Sequence, residues 1–394
     1  MGRSAQHWFI ITPEYPPNPG GVSDYTQIVA EELARRGHDI DVWTPPPSAG
    51  AFPTTPGVRC HALPDMFGLA SVRALDAALG RAPAGTILLV QYVPSGFGAR
   101  SMNLPFALWL GQRKERRWMM VHEAAFPYRP KAPLRHQVLA TVTRAMLRAS
   151  LAGAERVFTS TPAWEPVLRC HGFARGPIEW LPVPASVPAT FDGERARQIR
   201  AELGIASGET LVGHFGSYGH LVADPLAAVM RRVAERHADW SWLLLGRNAD
   251  RFAAELSQRG LRTPIFARAD LAPSEVSNHL AALDVAVFPF PDGISARRTS
   301  AMAAIAVGTP TVTTRGASTE TFWGRANAVV LTANDADDVA FATSQLVADP
   351  ARRALLSERS RALYEERFAV GRLADVLTRS LVTERAGRIA LTNV

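Results

Sequence analysis

Lysine is almost missing from this chain: 394 residues contain two, Lys114 and Lys131, although Lys and Arg together number 43. The second half therefore has no ammonium group with which to hold a phosphate, and any cation there must be a guanidinium or an imidazolium. Cysteine is equally scarce. Cys60 and Cys170 lie too far apart to suggest a disulfide framework or a metal-ligand spacing, which fits a reducing cytoplasm. No run of about 18 apolar residues is present, so no transmembrane helix is expected. The start of the chain lacks the long apolar core of a secretory signal. No repeat or low-complexity tract appears, and no recognition motif or aromatic platform accompanies the basic charge, which argues against nucleic acid as a partner.

What is present is an ordinary globular composition, 47% hydrophobic and 20% charged, in a chain long enough for two or three domains. The net charge of +7 is unevenly placed. Residues 112–148 carry Arg113, Lys114, Arg116, Arg117, Arg129, Lys131, Arg135, Arg144 and Arg148 against Glu115 and Glu123, as large an excess as the whole protein has. Such a segment suits an anionic partner, such as the inner face of a membrane with a lipid-linked substrate, or is a solvated helix face.

The most informative stretch is Pro13–Tyr25, with Gly20-Gly21 at its centre. An apolar, β-rich run precedes it, and Ile28, Val29, Leu33 and Ala34 follow at helical spacing. Two glycines let backbone approach a ligand closely. Ser23 or Asp24 is the expected cap, and the N–H groups of the helix start suit an anion. A tight turn without a ligand is the plain alternative.

Strands are expected at 8–12, 40–44, 86–92, 117–122 and 156–160, with helices at 24–36, 71–80, 105–113 and 135–152. Residues 45–64 read as loop. Three prolines in Trp180–Pro188 then mark a linker. A second series follows, with strands at 211–215, 241–245, 264–267, 285–290, 311–314 and 328–331. Its helices are at 224–237, 251–259, 274–282, 299–307 and 337–347, and 351–387 reads as helix. Alternation of this kind predicts an α/β protein with two doubly wound, Rossmann-like halves. Ligands in such sheets bind outside the carboxyl ends of the strands, here expected in a cleft between the halves.

Pro13–Asp24, followed by Leu33-Ala34-Arg35-Arg36-Gly37-His38, resembles the opening of family-4 glycosyltransferases of GT-B fold. Val121-His122-Glu123, Ala154–Ser160, Leu243–Gly246, Leu280–Pro289 and Ala303–Val312 resemble later phrases of that family, in order. The resemblance implies sugar transfer from a nucleotide-sugar to a hydroxyl acceptor, with retention, no metal and no cofactor beyond the donor itself. It implies an acceptor domain at 1–184, completed by a crossover helix within 368–394, and a donor domain at 185–367. His122 at a strand end would bond a sugar hydroxyl or help take the acceptor proton, Glu123 would orient the site, and Tyr92 would line the acceptor pocket. Gly20 and Gly21 would close over the donor. The base would lie near Phe266-Ala267-Arg268.

The donor half departs from the family. Alignment on Gly308-Thr309-Pro310 puts Ser295 and Ala303 where two glutamates belong. The loop Gly213–His220, containing Gly216 and Ser217, lacks the usual Arg and Lys. The expected replacements are Arg297 or Arg298, with Arg247 as a third candidate. Ser295, Thr299 and Ser300 add short donors at a helix start, and Asp292 is offered for sugar hydroxyls. The alternatives are a binding partner that has lost transfer, or an epimerase or pseudo-glycosyl coupling enzyme on the same scaffold.

Overall fold

The structure, a computed structural model, describes residues 5–129, 131–171 and 176–379. Contacts divide the chain into two compact units. One runs to Pro182 and takes in the chain again from Val370; the other is Val183–Ala369. The division falls inside the Pro-rich stretch.

The first unit is built on seven parallel strands: β1 (His7–Ile11), β2 (Asp39–Thr44), β3 (Val58–Ala62), β4 (Ile87–Tyr92), β5 (Arg116–Val121), β6 (Arg156–Thr159) and β7 (Ile178–Trp180). Their order is β3-β2-β1-β4-β5-β6-β7. The second holds β8 (Leu211–Phe215), β9 (Ser241–Leu245), β10 (Ile265–Arg268), β11 (Val285–Phe288), β12 (Thr311–Thr314) and β13 (Val330–Thr332), in the order β10-β9-β8-β11-β12-β13. Both are doubly wound α/β sheets. Every residue of β4 and β9 is buried, as expected for central parallel strands covered on both faces. The strand order reverses between β1 and β4, and between β8 and β11. The loops leaving these strands are therefore where ligands belong.

Several expectations are corrected. β3 lies inside the segment read as loop. It is an edge strand with only Arg59 and Ala62 well exposed and no buried residue, so its sequence lacks the apolar run that marks a central strand. The helix expected from Asp224 starts at His220 and carries Pro225 within it. The last expected helix is two pieces: Pro350–Arg367, and residues 370–379 in the first unit. There Arg36 donates to Asp375 and to the Gly371 carbonyl, both at 2.7 Å. The rest of that expected helix, and of the crossover segment to 394, lies outside the described residues.

The basic run is also less of a surface than its sequence suggests. Arg117 is fully buried, and its guanidinium donates to the carbonyls of Leu110 and Ala152 at the ends of helices Leu104–Gly111 and Leu134–Leu151. Burial pushes its pKa down to about 10, which leaves it charged at neutral pH. Arg113 pairs with Asp76 and Arg116 with Glu155. Arg144 donates to the Phe126 carbonyl and stacks on Tyr128.

Candidate functional site

In the first unit, the loop after β1 leads into helix Gly21–Arg35. Neither Ser23 nor Asp24 caps it. Gly20 is the cap residue, and the Glu14 carboxylate supplies the missing acceptor, taking the N–H groups of Val22 at 3.0 Å and Ser23 at 3.2 Å. A carboxylate there also faces the positive end of the helix dipole. This corrects the expectation that those N–H groups await an anionic ligand. The two glycines separate in role. A Cβ on Gly20 would lie 2.2 Å from Glu14 Oε1, whereas one on Gly21 would meet nothing within 4 Å. Gly20 admits Glu14; Gly21 has open space around it.

His122 follows β5 and is 5% exposed. Its Nε2 lies 2.8 Å from Gln91 Oε1, and its ring meets Tyr25 edge-on at 4.8 Å. An amide oxygen only accepts, so this bond places a proton on Nε2. Glu123 is half-buried, with its N–H 3.4 Å from the Tyr92 carbonyl. Tyr92 is not a pocket residue. It is fully buried in the core beside Phe97, and burial raises its phenol well above the ordinary range. Successive side chains of a strand alternate in direction, so if Tyr92 enters the core the neighbour Gln91 reaches His122. An amide inside the apolar run Ile-Leu-Leu-Val-Gln-Tyr was the available signal.

The loop after β4 holds an unusual turn. Gly98, Ala99, Arg100 and Ser101 all have positive φ, at 74°, 48°, 52° and 68°. Each non-glycine residue held there costs about 1–3 kcal/mol. Asn103 braces the turn, donating to the carbonyls of Phe97 (2.7 Å) and Phe67 (2.9 Å) while capping the next helix through Phe106 N–H.

In the second unit, Gly216 and Gly246 bring the loops after β8 and β9 together. A Cβ on Gly246 would lie 2.4 Å from the Gly216 carbonyl, and one on Gly216 would lie 2.7 Å from His214 Cε1. His214 is buried, neither ring nitrogen has a hydrogen-bond partner, and burial lowers its pKa to about 3. It is neutral and supplies no cation to this loop. Ser217 is exposed and its carbonyl accepts from Asn248 Nδ2 at 3.3 Å. Arg247 is exposed. Arg268, also exposed, ends β10 and donates to the Ala267 carbonyl. A groove of about 380 Å³ lined by Tyr218, His220, Asp224, Asn248 and Arg251 adjoins this loop and does not include the paired arginines.

The loop after β11 carries those arginines. Arg298 bonds Asp292 and lies over the Phe290 ring at 4.6 Å, while Ser318 Oγ donates to the other Asp292 oxygen at 3.0 Å. Asp292 and Arg298, the residues expected for sugar hydroxyls and for a phosphate, are thus paired with each other while both remain part-exposed. Arg297 is exposed, Ser295 is buried, and Thr299 and Ser300 are half-buried in the first turn of helix Thr299–Val307, which Arg298 precedes without a side-chain cap. Sequence reading missed Glu320, whose carboxylate accepts from Ala296 N–H and from Trp323 Nε1. No motif marks it; only folding brings it to this loop.

Among the described residues no group of three or more His, Cys, Asp or Glu could hold a metal ion.

Two family models match the sequence. One, described as a glycosyl transferase 4-like domain, covers residues 20–184; the other, glycosyl transferases group 1, covers residues 210–349. Together they take in well over half of the chain. No curated protein matches it. Among solved structures, sucrose-phosphate synthase from Thermosynechococcus elongatus superposes with a TM-score of 0.73 at 18% identity, over 97% of this chain and 100% of that one. Anabaena HepE in complex with UDP and glucose gives 0.68 at 15%, over 96% and 100%. WaaG, a glycosyltransferase involved in lipopolysaccharide biosynthesis, gives 0.66 at 16%, over 94% and 99%. At such identities the likeness is one of fold, and that fold is GT-B.

Proposed function

The chain belongs to the family-4-like glycosyltransferases of GT-B fold, and on that basis we propose that it transfers a sugar from a nucleoside-diphosphate donor to a hydroxyl acceptor, with retention and without a metal. One observation carries the donor side. The loop after β11, at the point where strand order reverses, presents an exposed Arg297 just ahead of a helix start that has no side-chain cap. As the bond from the sugar carbon to phosphate breaks, negative charge grows on the leaving diphosphate. A guanidinium and helix N–H groups aimed at it stabilise that charge. HepE, of the same fold, has been solved with UDP, which makes a nucleoside diphosphate the ligand to try first.

On the acceptor side, His122 is held by Gln91 with a proton on Nε2 and serves as a hydrogen-bonding group for substrate. The acceptor proton passes to the departing phosphate oxygen, so no strong base is required of the protein. We assign the first unit to the acceptor and the second to the donor.

We also place the acceptor at the inner face of a membrane. Leu134 (78% exposed) and Val138 are one helical turn apart, with Tyr128 beside the helix and Arg129, Lys131 and Arg135 exposed around them. An apolar stripe rimmed by cations fits an anionic bilayer surface. No described helix is long and apolar enough to cross a membrane.

The experiment is thermal denaturation with UDP, GDP, ADP and dTDP in turn. A nucleotide present at 100 times its dissociation constant adds about 2.7 kcal/mol of apparent stability. Stabilisation by one of the four supports the donor reading, and no shift with any of them overturns it. Flotation with vesicles containing phosphatidylglycerol tests the membrane assignment. Binding lost in Leu134→Glu/Val138→Glu supports it, and no binding at low salt removes it.

A further inference from the structure

The loops that follow β11 and β12 are stitched together. Ile294 N–H donates to the Thr314 carbonyl at 2.9 Å, and Ser318 N–H to the Asp292 carbonyl at 2.8 Å. Gly293, with φ of 85°, and Gly316 pass so closely that a Cβ on Gly293 would lie 2.3 Å from Gly316 N. The second loop is thus a splint for the first.

Glu320 is where the splint meets the donor loop. Both its carboxylate oxygens lie 3.2 Å from Ala296 N, and Oε2 also accepts from Trp323 Nε1 at 2.9 Å. Ala296 is fully buried and Trp323 is 1% exposed, so these two partners of the carboxylate are fixed. Ala296 stands between Ser295, where the sequence lacks an expected carboxylate, and Arg297. The neighbouring loop therefore delivers a carboxylate to the backbone of this segment. Its charge-assisted bond sets the peptide that leads into Arg297 and the helix start at Thr299.

We propose that Glu320 is the positioning residue of the donor loop: it holds the Ser295–Arg298 backbone so that Arg297 receives a diphosphate. This rests on the donor reading above.

The test is calorimetric titration with UDP, GDP, ADP and dTDP of the wild type, Glu320→Ala and Glu320→Gln, with melting temperatures measured alongside. Loss of a hydrogen bond to a charged group predicts that Glu320→Ala binds the preferred nucleotide about tenfold or more weakly. Gln retains an oxygen for Ala296 N–H and recovers most of that affinity, even where both variants melt at the same temperature. Equal affinity in all three proteins overturns the inference while leaving the donor reading intact, and so does a Gln variant as weak as Ala. No binding by the wild type overturns the donor reading and this inference with it. If Glu320→Ala does not fold, Trp323→Phe carries the test: it removes only the Nε1 donor. Severalfold weaker nucleotide binding supports the role, and unchanged binding overturns it.

Discussion

Replacing Gly20 by Ala should destabilise the first unit through a residue that is not itself mutated. Gly20 has extended backbone (φ 173°), so alanine meets no conformational strain. The obstacle is the Glu14 carboxylate, 2.2 Å from where the new Cβ would sit. That group is the end of a flexible side chain and will move aside. In moving it releases the Val22 and Ser23 N–H groups. Loss of such a cap costs about 1 kcal/mol, within a range of about 0.5–2. The gain from a stiffer unfolded chain offsets about 0.4–1 kcal/mol of this. A net loss of up to about 0.6 kcal/mol is expected. In a Glu14→Ala background the cap is already gone, and Gly20→Ala should become stabilising by about 0.4–1 kcal/mol. The coupling between the two sites is then the cap itself, about 1 kcal/mol. Urea denaturation of the four proteins of the cycle, with hydrogen exchange at the Val22 and Ser23 amides as a local readout, measures it. Additive effects would refute the reasoning. Gly21→Ala is the internal control: with open space around it, it should stabilise or leave stability unchanged.

Three further outcomes follow from the same geometry. Burial alone would raise the Asp41 carboxyl, but hydrogen bonds from His61, His7 and Arg59 outweigh it and hold the group well below the carboxylate range. Its contribution is therefore complete above the unfolded value, about 3.9, and lost as pH falls through the lower folded value; Asp41→Asn should flatten the acid limb below about pH 4 in denaturation profiles. His214, neutral with a folded pKa of about 3, makes the unfolded state bind the extra proton between its ordinary value, about 6.5, and that value. Stability is lost as pH falls through that window, and His214→Phe should reduce the loss in unfolding curves; an unchanged slope counts against a neutral buried imidazole. Finally, Arg297→Ala should weaken nucleotide binding about tenfold in titration calorimetry; unchanged affinity sinks the assignment.

Most strands could be read from sequence because each is a local pattern. β4 and β9 are unbroken apolar runs with turn residues on either side, and their type needs no distant information. β3 escaped because an edge strand is half exposed and has no such run. Site residues were harder to read. Position at a strand end suggested both His122 and Tyr92, but the alternation of side chains sends only one of two neighbours toward His122, and that one is Gln91. Arg298 and Asp292 were each sensible partners for a ligand when read singly. Six residues apart in one loop, they reach each other first.

Local patterning and the ordered phrases of a family were therefore enough to specify two parallel α/β units, their glycine loops and the class of reaction. Those are properties of segments a few residues to a few turns long. Which polar groups are available to a substrate is set by folding, because doubly wound sheets gather the ends of non-consecutive strands at one edge. Glu14 comes to lie under Gly20, Arg117 is drawn inside to bond two helix ends, and Glu320 reaches the loop where an acid is missing. A charge is used by the nearest partner in space, and that partner is chosen by strand order.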